Sequence, residues 1–169
     1  METVVQAISH TPWWVFVLFV ILVRRGIKAL KPSTASLKGL MLLPLVFLAF
    51  SVHTLFLSTQ PIFETLGLWL IGGCVGGAIA YMVTPLERVS VDLKNKTLNL
   101  PGSAYVLIMV LCAFVVKYAL GYQLAAHPEI IHNIGFTVVL LATAGLFTGL
   151  SVGRASRLLY RLYQVPVVV

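Results

Sequence analysis

Charge is what this sequence has least of. Of 169 residues only 10% are charged, and the acids number five. A soluble domain carries about 25% charged residues. At this length it would also need far more polar surface to cover its core. A soluble fold is therefore excluded, and so is most hydrolytic chemistry. The five acids (Glu2, Glu64, Glu87, Asp92 and Glu129) include no carboxylate pair, and nothing resembles a Ser/His/Asp triad or a phosphate-binding loop. The residue set leans away from an enzyme. The two cysteines form no CxxC, "HPEIIH" lacks the spacing of HExxH, and there is no internal repeat or low-complexity segment. The opening "METVVQAISHTP" has neither a basic leader nor a small-residue cleavage site, so no cleaved signal peptide is expected.

What is abundant is apolar sequence: 59% of residues are hydrophobic and the mean hydropathy is +0.98. Five runs are long enough for a bilayer, which takes about 20 helical residues. They cover residues 4–30, 37–57, 66–83, 104–122 and 134–152. Pro12 predicts a kink or break in the first, and Pro44 a kink in the second. The expected fold is one all-α transmembrane domain over 1–169, a five-helix bundle.

The basic residues orient it. Arg24, Arg25, Lys28, Lys31 and Lys38 follow the first run. Arg88, Lys94 and Lys96 lie between the third and fourth, and Arg154, Arg157 and Arg161 follow the fifth. Eleven of the twelve basic residues thus fall on one side, which the positive-inside rule makes cytoplasmic, with the N-terminus outside. The same placement argues against nucleic acid. The arginines Arg24, Arg25, Arg154, Arg157 and Arg161 border helices, where anionic headgroups are the expected partner.

Between the third and fourth runs, residues 86–101 change period. Val89, Val91 and Leu93 alternate with polar residues, and Leu98 and Leu100 resume after "KNKT". A short cytoplasmic β-hairpin is expected, with Ser103 as N-cap of the next helix. The tail 153–165 reads as a basic amphipathic helix at the membrane surface. Gly72/Gly76, Gly73/Gly77 and Gly145/Gly149/Gly153 form four-residue small-residue ridges. These ridges serve helix packing, or a homo-oligomer through the third and fifth helices.

The stretches "SHTPWWVFVLFVILVRRGIKALKP", "LPGS" and "KYALG" resemble a family of small bacterial inner-membrane proteins known as a conserved domain of unknown function. The resemblance implies a multi-pass protein of the bacterial cytoplasmic membrane and a compact helical domain. It supplies no catalytic residue.

Lys117, in "VLCAFVVKYALGYQ", is the one basic residue outside the cytoplasmic set. It shares a helical face with Ala113 and Gly121, small residues that suit a helix contact, although its long stem also lets it snorkel. At 1.5 Å per residue, Lys117, His53 and His10 lie roughly 6–9 Å below the outer boundary. With Thr54 and Tyr118 they make a candidate pocket for a small solute or a proton, serving transport or sensing. His10 and His53 could instead be axial ligands of a b-type haem, or the protein could contact quinone, which makes a redox protein the alternative. A third reading is a structural subunit of a larger membrane complex. His127 and His132, with Glu129, are weak metal candidates. Cys74 and Cys112, each near mid-span of helices expected to be antiparallel neighbours, are weak redox candidates.

Overall fold

The structure is a computed structural model, and it describes residues 13–58, 61–86, 89–92 and 97–164. His10 and Pro12, Glu87 and Arg88, and Lys94 and Lys96 lie outside the described residues. Five α-helices are described: α1 (Trp13–Lys28), α2 (Leu37–Leu57), α3 (Ile62–Val83), α4 (Tyr105–Ala126) and α5 (Ile134–Gln164). Strands β1 (Ser33–Ser36), β2 (Ser90–Asp92) and β3 (Thr97–Leu100) and a 3₁₀ turn at Pro128–His132 complete them. Four helices have a segment long and apolar enough to cross a membrane: Gly39–Leu57, Ile62–Val83, Tyr105–Ala126 and Ile134–Arg161. The described part of α1 has 16 residues, about 24 Å of helix against about 30 Å of hydrocarbon.

Helix boundaries differ from the expected runs in two informative places. α3 begins four residues before Leu66, because Glu64 sits in its first turn, where the N-terminal dipole favours an acid. α5 continues to Gln164, so the arginine-bearing stretch is part of one 31-residue helix and not a separate surface extension. At the start of α4, Ser103 Oγ accepts from the Tyr105 backbone N–H at 3.2 Å, but the cap position itself is Ala104, whose side chain caps nothing.

The chain divides into two compact units: Met1–Pro32 with Gly102–Pro128, and Ser33–Pro101 with Glu129–Val169. In the first unit α1 packs on α4. Gly26 is buried against Leu107, and the rings of Phe19 and Phe114 meet tilted at 32° with centroids 4.0 Å apart. The Ser103 N–H donates to the Ala29 carbonyl at 2.7 Å, tying the end of α1 to the start of α4.

In the second unit α5 is the hub: 56% of its span is buried, against 17% for α2 and for α3. The glycine ridges lie at the α3–α5 seam. A Cβ built on Gly72 or Gly76 would overlap the carbonyl of Ala142 or Leu146, and one on Gly145 or Gly149 that of Trp69 or Gly73. Within the chain, then, these ridges bring two backbones of the same molecule together.

The sheet has order β1-β3-β2, both pairs antiparallel, with Ala35 and Val91 opposite Leu98. β1 has no counterpart in the sequence reading. Its residues, "STAS", carry no apolar alternation, and it exists because β3 supplies a free edge. It runs straight into α2, where Ser36 Oγ caps the helix by accepting from the Gly39 N–H at 3.2 Å. Leu98 and Val89 bury Leu158 of α5, which is 1% exposed. At Leu158, then, the apolar side of the tail is covered by protein.

Candidate functional site

The buried polar residues of the second unit define its interior chemistry. All seven described ones are hydroxyls: Ser51, Thr54, Thr65, Thr84, Thr137, Thr148 and Ser151. Each is hydrogen-bonded. Ser51 Oγ and Thr148 Oγ1 lie 3.0 and 2.9 Å from the Ala144 carbonyl and within hydrogen-bond reach of each other, so one hydroxyl donates to the carbonyl and the other to its neighbour. This cluster joins α2 to α5. Thr54, Thr84 and Ser151 donate to carbonyls of their own helices. Thr65 pairs with Ser58, and Thr137 donates to the Ile131 carbonyl. In hydrocarbon an unsatisfied hydroxyl is costly, and here each one is closed internally.

The candidate pocket residues separate on this map. Thr54 is buried but committed to the Phe50 carbonyl, whereas His53, one residue away on α2, is exposed. Both belong to the second unit. Lys117 and Tyr118 belong to the first, on α4. Both are half-buried. Tyr118 stacks on Phe114 with centroids 5.9 Å apart, and its hydroxyl is buried with no hydrogen-bond partner among the described residues. His10, the remaining candidate, is outside the described residues.

His127 caps the C-terminus of α4, and His132 and Glu129 lie in the 3₁₀ turn; all three are exposed. Among the described residues no three His, Cys, Asp or Glu side chains converge to hold a metal. Cys74 and Cys112 are free, exposed thiols in different units. Arg24 and Arg25 are exposed at the end of α1. Arg154, Arg157 and Arg161 are half-buried on α5, and the Arg157 guanidinium stacks 4.7 Å from the centre of the Tyr81 ring. That stack was not visible in the sequence, since α3 and α5 meet only through the fold.

The model of a family of unknown function, DUF6622, matches residues 1–165. The chain belongs to this family. It is a helical protein whose long apolar helices suit a membrane. No curated protein matched the chain, and no solved structure did.

Proposed function

We propose that this member of the family is a multi-pass protein of the bacterial cytoplasmic membrane that works without catalysis, as a structural component of a larger membrane assembly. The observation that carries this reading is the set of seven buried hydroxyls, all satisfied inside the second unit. With those hydroxyls closed, the unit's buried polar atoms without a partner among the described residues are the nitrogens of Trp69, Arg157 and Arg161, and the broad apolar surface is the larger part available to act. That surface includes Phe56, Phe63 and Met82, each at least 80% exposed. The N-terminus lies outside and the C-terminus in the cytoplasm, with the first helix completing a fifth span. The β1–β3 pairing supports this orientation. Strands before α2 and after α3 pair with each other, as an even number of crossings between them would require, and the basic sequence around 24–38 and 88–96 flanks those strands.

Purification from native membranes in a mild detergent tests the proposal: a partner should co-purify in fixed stoichiometry. A protein that runs alone and intact would sink it.

A second reading, a solute- or proton-binding pocket, is favoured by one observation: the buried Tyr118 hydroxyl, next to Lys117 along α4, has no hydrogen-bond partner among the described residues. Lys117→Met should then abolish solute- or proton-dependent flux in vesicles. The haem alternative through His10 and His53 predicts a Soret band that His53→Ala removes. Given the exposure of His53, a colourless preparation is the expected outcome.

A further inference from the structure

The close glycine seam between α3 and α5 leaves little side-chain bulk above it. A furrow of about 470 Å³ results, floored by Gly73, Gly77, Gly149 and Gly153 and walled by Ala78 and Tyr81. From Gly73 to Tyr81 it follows eight residues of helix, about 12 Å, close to the roughly 15 Å depth of one hydrocarbon leaflet. At the Tyr81 end stands Arg157, its guanidinium stacked on the wall's own aromatic ring, its Nε buried without an acceptor among the described residues. A guanidinium whose carbon lies over an aromatic ring, with its Nε buried, keeps its two Nη groups as donors, and a phosphate can take a hydrogen bond from each. α5 contains no acid, and the single acid of α3, Glu64, lies in its first turn at the far end of that helix.

We propose that this furrow holds one acyl chain of an anionic phospholipid, with the lipid phosphate against Arg157. Charge decides the occupant. A second copy of the chain docked over the same furrow by a two-fold axis would bring like-charged Arg157 ends toward each other, with no carboxylate on either helix near them. The proposal concerns a lipid on the outer surface and goes beyond the structural role proposed above, so the two fail independently.

The test is native mass spectrometry of the full chain in detergent, titrated with phosphatidylglycerol or phosphatidylcholine of matched chains. One phosphatidylglycerol should be retained about five-fold more tightly than phosphatidylcholine, the worth of about one lipid-facing arginine. Arg157→Gln should erase that preference. Ala78→Phe, at an exposed wall position, should lower retention of both lipids. Gly77→Ala is the second filling variant: its added Cβ would stand 3.8 Å from the Gly149 carbonyl, an ordinary contact, so the seam survives. Helix content by circular dichroism should be unchanged in each variant. Equal retention of the two lipids, an unaltered preference in Arg157→Gln, or release by glycerol 3-phosphate at concentrations matching the lipid would overturn the proposal. So would a wild-type dimer that Ala78→Phe splits into monomers.

Discussion

A hydroxyl placed in a hydrocarbon medium has to find its acceptor inside the protein, and Ser51 shows where that acceptor comes from. Where Thr54 on the same helix donates to its own Phe50 carbonyl, Ser51 reaches across to the Ala144 carbonyl of α5 and to Thr148. A double-mutant cycle of Ser51→Ala and Thr148→Val, followed by unfolding in a denaturing detergent, should give a coupling of about 0.6 kcal/mol, the usual worth of an interhelical side-chain bond in a membrane protein. Zero coupling would mean that the two side chains do not meet. At this scale the sequence was half legible. Ser51, Thr54, Ser58 and Gln60 make the end of this run polar, which predicts an end facing other helices or water. Gln60 lies outside the described residues, and Ser51, Thr54 and the C-cap Ser58 hydrogen-bond within the protein. The exposure of His53 was hidden, because which of two adjacent positions faces α5 depends on helix rotation, and the even apolar coating of α2 leaves that rotation unmarked.

Among elements, the glycines divide by what stands opposite them. Gly149 faces the Gly73 carbonyl with no room for a Cβ, whereas nothing lies within 4 Å of one at Gly67. Gly149→Ala should therefore cost about 1–3 kcal/mol through overpacking. Gly67→Ala, inside the same kind of helix, should be neutral or gain up to about 1 kcal/mol from helix propensity. Thermal unfolding of both variants in one detergent checks the contrast, and equal effects would contradict the seam. The four-residue spacing of these glycines was readable beforehand, but the identity of the opposing helix was not. The burial of Leu158 in the tail was hidden for a related reason. The tail's leucines look lipid-bound when read locally, and the sheet that covers Leu158 is built from segments sixty residues upstream. Leu158→Ala should cost about 2–5 kcal/mol, as for a fully buried leucine.

For the molecule as a whole, the membrane class follows from composition alone, while the division into two units does not. Each unit joins chain segments far apart in sequence, residues 1–32 with 102–128 and 33–101 with 129–169, and no local pattern announces such pairings. The orientation is open to direct measurement. In a background of Cys74→Ser and Cys112→Ser, the exposed positions Asn99 and Glu129 can each be made cysteine. In right-side-out vesicles a membrane-impermeant maleimide should label Glu129→Cys and spare Asn99→Cys, and inverted vesicles should reverse the result. The opposite pattern would invert the assigned topology.

Strand β1 also has a temporal consequence. It leaves the ribosome some sixty residues before β3, its partner in the sheet. At 5–20 residues per second it waits roughly 3–13 s with its edge open, while two apolar helices are made ahead of its partner. A long, greasy strand left in that state would be a template for mispairing. Four residues of serine, threonine and alanine are a poor one. The very blandness that hid β1 from sequence reading is what lets it wait safely.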